Sequence, residues 1–144
     1  MRAYDNLNTF PDVAPALDSI RKSANIIPVV FSNGTDSMVS NSVNSSPSLS
    51  PHASIFKDLI TVEKPKRYKP DPAVYRHLAT KMGKSASEMS DMWLVSGNPF
   101  DIVGARKMGM KAAWVDRAGK GWTDRLGEEP TIVVQELEEI LATL

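Results

Sequence analysis

Three polar side chains follow one another closely at the end of an apolar run. The segment LVSGNPFDIVGARKMG contains Ser96, Asn98 and Asp101, with Pro99 between the last two. A hydroxyl and an amide offer hydrogen-bond donors and acceptors in fixed directions. A carboxylate in the first turn of a helix is stabilised by the backbone N–H groups there. The three side chains could therefore orient a reacting group and a water, or they could shape a turn and cap a helix.

Four further residues could belong to the same site. Lys69 follows the basic segment KPKRY, where it could hold an anion or lower the pKa of a nearby carboxylate, or be an ordinary solvated lysine. Ser32 and Asn33 follow the run IIPVVF, where a hydroxyl and backbone N–H groups could bind an anion or form a plain turn. Tyr75 lies on the helix predicted after Lys69, and the simpler interpretation is a half-buried aromatic residue with a structural role.

Most of these residues lie where predicted strands end. Apolar runs predict strands at 26–31, 58–62, 92–96, 111–116 and 131–134. Strands that are almost wholly apolar and alternate with helices indicate a parallel sheet covered on both faces. Ligands bind beyond the carboxyl ends of such strands, so the candidate side chains are expected at one edge of the sheet.

Turn and capping residues predict where the helices begin and end. Asp12 is predicted to cap a first helix, and Asp71 a later helix with Pro72 at its first position. The helix after 92–96 should stop at Gly109, and a closing helix is expected over 137–144. The Ser-rich stretch 35–54 is predicted to begin as a short helix and continue as a flexible surface insertion.

The composition excludes several classes of function. The chain has 144 residues, enough for one domain, and its 17 basic and 17 acidic residues give no electrostatic case for nucleic acid or an anionic membrane. The absence of cysteine excludes disulfides, thiolate catalysis and cysteine metal sites. The longest apolar run is too short to span a bilayer, and the first residues lack the apolar core of a signal peptide. A cytoplasmic protein is expected, with no cofactor and no metal.

Three segments together resemble a known family. FSNG at 31–34, YKPDPAVY at 68–75 and LVSGNPFDIVGARKMGMKAAWVDR at 94–117 resemble the haloacid dehalogenase superfamily, most closely the (S)-2-haloacid dehalogenases. The segments occur in the family's order and at nearly its spacing, from about Ala3 onward. The resemblance implies an α/β, Rossmann-like core with a mainly parallel sheet and helices on both faces, formed as one domain by residues 1–144.

The resemblance also implies roles for the candidate residues outside 94–117. Ser32 and Asn33 would bind the anionic group of the substrate. Lys69 matches the family's lysine, because Lys69-Pro70 has the family's spacing to Tyr75, and it would neutralise the nucleophilic carboxylate. Tyr75 would pack beside that lysine and contribute to substrate binding.

Within 94–117, the family places the groups that orient the nucleophile and the hydrolytic water. The resemblance assigns these roles to Ser96, Asn98 and Asp101. Magnesium-dependent phosphatases of the superfamily usually have two acids here, since Mg²⁺ prefers carboxylate oxygens. This sequence has Gly97-Asn98 in place of the first acid, which favours metal-free dehalogenation.

One part of the family pattern is expected to be missing. The family carries its nucleophile in an Asp-x-x-x-Thr pattern after an apolar strand, ahead of all the segments quoted above. Asp5 has Thr9 four residues on, but no apolar strand precedes it, and the match is interpreted as chance. The chain is therefore expected to be truncated at its N-terminus, to lack most of the family's cap, and to be inactive alone.

The sequence thus predicts part of a hydrolase that converts (S)-2-haloacids to 2-hydroxy acids through an aspartyl ester. Its partner would be a small 2-haloacid if the protein is complete, and a homo-oligomer is possible. Two alternatives stay open: a non-catalytic remnant or interaction module, and part of a phosphatase of the same superfamily.

Overall fold

Parallel strands joined by helices form the framework of the protein. A computed structural model describes residues 8–144, so Asp5 lies outside the described residues. The chain divides into two compact units, the first ending at Lys64 and the second beginning at Pro65.

The first unit contains one pair of parallel strands. Val30 of β1 pairs with Leu59 of β2, and Phe31 pairs with Ile60. Its elements in chain order are α1 (Val13–Lys22), β1 (Val30–Phe31), α2 (Asp36–Ser45), a 3₁₀ helix (Ser50–Ile55) and β2 (Leu59–Ile60).

Strand β1 is shorter than the predicted run 26–31 because a proline interrupts it. Pro28 has no N–H to donate, although its carbonyl accepts a hydrogen bond from the Lys57 N–H at 2.9 Å. Val30 then donates to the Asp58 carbonyl at 3.0 Å. The two segments therefore run side by side from Pro28 onward, but regular strand structure covers only the last two residues.

The Ser-rich stretch is more ordered than the sequence predicted. The Thr35 hydroxyl caps α2 by accepting from the Met38 N–H at 3.2 Å, and Val39 and Val43 are only 7% and 4% exposed. Because residues four apart share one face of a helix, these two valines anchor α2 to the core of its unit. The predicted short helix is present as α2, whereas the prediction of a flexible insertion after it was wrong for the 3₁₀ helix.

The second unit contains a three-stranded parallel sheet of order β3-β4-β5. Ser96 at the end of β3 is level with Trp114 on β4. The elements are α3 (Pro72–Lys81), a 3₁₀ helix (Ala86–Asp91), β3 (Trp93–Ser96), α4 (Pro99–Lys107), β4 (Lys111–Val115), β5 (Ile132–Val134) and α5 (Glu138–Leu141).

Coverage of this sheet differs between its centre and its edges. Residues 112–115 of β4 are all buried, and alternate side chains point to opposite faces, so β4 is covered on both. On the flanking strands, Val95 is 44% exposed and Val133 is 48% exposed. The predicted parallel sheet is therefore covered on both faces at its centre, and its flanking strands are partly exposed.

The predicted helix ends agree with the structure in two of four cases. Asp12 precedes α1 as predicted, but its side chain makes no capping hydrogen bond. Pro72 begins α3, and the Asp71 carboxylate accepts from the Ala73 N–H at 2.8 Å. Helix α4 is followed by Gly109 in the left-handed region, at φ 87°. Helix α5 is a single turn instead of spanning 137–144, since Ile140 is buried whereas Leu144 is 51% exposed.

Replacing the α3 cap should destabilise the protein measurably. Asp71→Ala leaves the Ala73 N–H without its acceptor and should lower the free energy of unfolding by about 1 kcal/mol in urea titrations followed by circular dichroism. Asp71→Asn keeps a capping oxygen and loses only the charge, including an exposed contact with Arg67 at 3.7 Å, so it should lose clearly less. Equal losses in the two variants would contradict a capping role.

Candidate active site

A buried carboxylate lies directly after strand β3, in the first turn of α4. The Asp101 residue is 3% exposed. Its Oδ2 atom accepts hydrogen bonds from the Ser96 hydroxyl at 2.8 Å and from the Lys69 ammonium at 3.3 Å. The carboxyl end of β3, the start of α4 and the loop before α3 thus contribute one group each to a single cluster.

The turn between β3 and α4 fixes the direction of the Ser96 hydroxyl. Asn98 has extended backbone angles, φ −102° and ψ 120°, and Pro99 begins the helix. The Asn98 N–H donates to the Ser96 Oγ at 3.0 Å. Since this oxygen accepts from the backbone, its own proton is directed to Asp101.

Lys69 and Asp101 form an ion pair that is largely removed from water. Their side chains are 8% and 5% exposed. A buried charge is strongly unfavourable unless an opposite charge and hydrogen bonds compensate it. Each side chain therefore makes burial of the other possible, and a change in one affects both.

The second oxygen of this carboxylate is available for a ligand. Asp101 Oδ1 is buried and has no hydrogen-bond partner within residues 8–144. Buried carboxylate oxygens almost always have a partner, so an exception suggests a functional position. This atom can accept a hydrogen bond from a water or a reacting group while Lys69 and Ser96 hold the other oxygen.

Tyr75 joins α3 to the backbone of the same helix turn. The side chain is fully buried, at 0% exposed, so it is not the half-buried aromatic residue of the simpler interpretation. Its hydroxyl donates to the backbone carbonyl of Asp101 at 3.1 Å. Burial, and secondarily the charge of Asp101, raise the pKa of the Tyr75 phenol well above its ordinary value.

Trp114 was not among the predicted site residues, although it contacts the same loop. Its indole N–H donates to the Gly97 carbonyl at 3.4 Å. The Trp122 ring packs edge-on against it, with ring centroids 5.1 Å apart. The strand spacing could have indicated this contact, because parallel pairing of the runs 92–96 and 111–116 brings Trp114 level with Ser96.

The other predicted site residues are arranged as follows. Asn98 is exposed, and its side chain makes no capping hydrogen bond to α4. Ser32 and Asn33 lie in the first unit, in the turn after β1, where the Ser32 Oγ accepts from the Gly34 N–H at 3.0 Å. The roles predicted for all of these residues stay predictions.

The described residues include neither a metal-binding cluster nor a membrane-spanning helix. Residues 8–144 contain no group of three His, Cys, Asp or Glu side chains arranged to hold a metal ion. Over the same range no helix is both long enough and apolar enough to cross a membrane.

Comparison with known proteins identifies the family. Residues 1–115 match the family model described as haloacid dehalogenase-like hydrolase. The chain belongs to this family. The match covers most of the chain and includes Lys69, Ser96 and Asp101.

Individual relatives of this hydrolase family agree with the match. An (S)-2-haloacid dehalogenase of Pseudomonas putida is 34% identical over 139 residues, covering 96% of this chain and 58% of the relative. A haloacetate dehalogenase of Moraxella sp. is 30% identical over 140 residues, with the same coverage of 96% and 58%. A crystal structure of an L-2-haloacid dehalogenase superimposes with a TM-score of 0.85 at 25% identity, covering 99% of this chain and 59% of that one.

These comparisons confirm the predicted fold class, a Rossmann-like haloacid dehalogenase core of the α/β type. The chain spans about half the length of the curated relatives it matches, between 48% and 58% of each.

Removing one charge of the buried ion pair should destabilise the protein strongly. Removing both charges should destabilise it much less. Asp101→Asn should lower the free energy of unfolding by about 3 kcal/mol, because the Lys69 ammonium loses its buried counter-charge. Lys69→Met should be similarly harmful, whereas the double variant should lose far less than the sum. Urea unfolding of the four proteins at neutral pH measures this, and losses that add within about 0.5 kcal/mol would contradict the coupling.

The raised pKa of Tyr75 predicts a loss of stability in alkali. The folded protein keeps the phenol proton at a pH where the unfolded chain, with a pKa of about 10, has released it. Stability from this residue is therefore complete below about pH 10 and declines above it, by at most about 1.4 kcal/mol per pH unit. Unfolding free energies between about pH 9 and 11 should fall more steeply in the wild type than in Tyr75→Phe, and parallel curves would contradict the burial of the phenol.

Proposed function

We propose that this chain supplies the positioning groups of a hydrolase of the (S)-2-haloacid dehalogenase type. The observation that carries the proposal is the Asp101 carboxylate, held at Oδ2 by Ser96 at 2.8 Å and Lys69 at 3.3 Å. Its Oδ1 atom has no partner within residues 8–144. The names of the relatives, which include 2-haloacid and haloacetate dehalogenases, support this reaction class.

The proposed reaction passes through a covalent ester. An aspartate carboxylate attacks the halogen-bearing carbon of the substrate, a carbon–oxygen bond forms, and the carbon–halogen bond breaks to release halide. Water then adds to the ester carbonyl, and the bond between that carbonyl carbon and the oxygen attached to the substrate carbon is cleaved. The products are a 2-hydroxy acid, a halide ion, a proton and the regenerated carboxylate. We propose that the attacking aspartate comes from outside these 144 residues.

Four groups of the second unit would serve the two steps. The Lys69 ammonium provides positive charge beside the attacking carboxylate. Asp101 Oδ1 accepts a hydrogen bond from the water and aligns it on the ester carbonyl. Ser96 keeps the Asp101 carboxylate in that orientation, and the exposed Asn98 amide offers a further donor and acceptor.

Substrate binding is proposed for the turn after β1 in the first unit. The Ser32 oxygen accepts from the Gly34 N–H, which leaves the Ser32 proton free to donate to a substrate carboxylate. Asn33 in the same turn would assist. Tyr75 is buried, so its proposed contribution to binding acts through the Asp101 backbone that it contacts.

The same site favours carbon–halogen over phosphate-ester hydrolysis. Only one carboxylate, Asp101, occurs in the segment 96–101, because Gly97 and Asn98 replace the first acid of the magnesium-dependent pattern. Octahedral Mg²⁺ is bound through carboxylates and substrate phosphates, and a lysine already neutralises this carboxylate.

Chloride release from (S)-2-chloropropionate tests the proposal. The isolated chain should release no chloride above a buffer blank, since the supporting groups have no nucleophile to act on. A longer natural protein that contains these residues after an Asp-x-x-x-Thr strand should release chloride. In that protein, Lys69→Ala and Asp101→Ala should each lower kcat/KM by about a hundredfold or more, whereas Lys84→Ala, a change of a partly exposed lysine outside the site, should leave it unchanged.

Three outcomes would contradict the proposal. Chloride release by the isolated chain that disappears in Asp5→Asn would make Asp5 the nucleophile. Hydrolysis of p-nitrophenyl phosphate with Mg²⁺, and no chloride release, would favour the phosphatase alternative. Inactivity of the longer protein towards both substrates would favour the non-catalytic alternative.

A further inference from the structure

Gly104 lies in the interior of α4, where glycine is unfavourable. Glycine is the poorest helix former after proline, and α4 runs without interruption from Pro99 to Lys107. No positive φ accompanies this residue, in contrast to Gly109, so backbone conformation does not explain the choice. The reason must lie in what surrounds the Cα atom.

The Tyr75 ring fills the space that a side chain at position 104 would need. A Cβ atom added to Gly104 would overlap the Tyr75 hydroxyl oxygen and lie 2.7 Å from Cζ and 2.8 Å from Cε2. Non-bonded carbon atoms pack at about 3.5–4.0 Å, so the ring and an alanine cannot occupy these positions together. Tyr75 and its neighbour Val74 are both 0% exposed, which leaves the ring little freedom to move aside.

We propose that Gly104 is a positioning residue for the Asp101 carboxylate. Asp101 precedes Gly104 by one helical turn, so both lie on the face of α4 that meets Tyr75. The absent side chain lets the phenol approach α4 closely enough for its hydroxyl to reach the Asp101 carbonyl at 3.1 Å. This contact holds the turn in which the Asp101 carboxylate meets Lys69 and Ser96.

The geometry leaves little tolerance for displacement of that turn. Ser96 and Lys69 lie 2.8 and 3.3 Å from Asp101 Oδ2, and hydrogen bonds fail beyond about 3.5 Å. Relieving contacts below 3 Å at Gly104 requires a shift of α4 at least as large as the difference between these two distances and that limit. The catalytic meaning of the inference rests on the function proposed above, whereas the placement of Asp101 can be tested without turnover.

The test is the reactivity of the Lys69 amine in the intact chain. Brief acetylation with acetic anhydride, followed by peptide mass spectrometry, measures Lys69 relative to Lys84 in the same sample. Lys69 is 8% exposed and bound to Asp101, whereas Lys84 is 32% exposed. In Gly104→Ala, acetylation of Lys69 should rise about tenfold relative to Lys84, because the loss of a charged hydrogen bond opens the pair.

A second glycine provides the matched control. Among residues 8–144, a Cβ at Gly97 would meet only the Val115 carbonyl at 3.6 Å, an ordinary contact, so Gly97→Ala should leave Lys69 protected. Thermal unfolding gives an independent readout. Gly→Ala inside a helix normally raises the melting temperature, and we expect Gly104→Ala to lower it.

Variants of Tyr75 separate positioning from general damage. Tyr75→Leu lacks the three atoms that would clash, so adding Gly104→Ala to it should raise Lys69 reactivity no further. If Gly104→Ala does not fold, Tyr75→Phe keeps the ring, loses only the hydroxyl, and should still raise Lys69 reactivity. Unchanged protection of Lys69 in a folded Gly104→Ala or in Tyr75→Phe would overturn the inference, whatever the chloride assay shows.

Discussion

The contact between the Lys69 ammonium and the Asp101 carboxylate constrains the whole second unit. Two opposite charges that are more than nine-tenths buried must stay within hydrogen-bond distance, because each is strongly unfavourable alone. Lys69 precedes α3 and Asp101 lies in the first turn of α4, so the pair holds the starts of these two helices together. The parallel pairing of β3 with β4, the cap of α3 and the Tyr75 contact all agree with that requirement.

Local chemistry explains why much of this framework could be predicted. Asp71 with Pro72, and Gly109 after α4, are strong boundary residues whose effect depends on their immediate neighbours. Where tertiary contacts decide, the sequence was a poorer guide. A 3₁₀ helix forms in the part of the Ser-rich segment that was predicted to be a loop, and the closing helix ends at Leu141, with Leu144 51% exposed. Neither effect is visible from composition.

In the candidate site, too, some features could be predicted from the sequence and others depend on tertiary contacts. Strand ends of a parallel sheet meet at one edge, so the meeting of Ser96, Asp101 and Lys69 follows from the order of elements. The contributions of Trp114 and Gly104 do not, because one depends on strand register and the other on a space that a neighbouring ring fills. Gly104 matters because it has no side chain where the Tyr75 ring packs, and the sequence alone does not show which ring packs there. The substrate-binding role of Ser32 and Asn33 stays a prediction.

Ser32 and Ser96 share a local arrangement that bears on how quickly a site can act. Each lies at the carboxyl end of a parallel strand, and each hydroxyl oxygen accepts a hydrogen bond from the N–H of the residue two positions on, at 3.0 Å in both cases. The backbone thereby orients each hydroxyl during folding, before any ligand arrives. A donor that is already oriented requires no reorganisation when charge develops on a substrate, and this preorganisation is a major source of electrostatic stabilisation in enzymes. In such a protein the energy that aligns the polar groups is supplied by the turns themselves and not by the bound molecule.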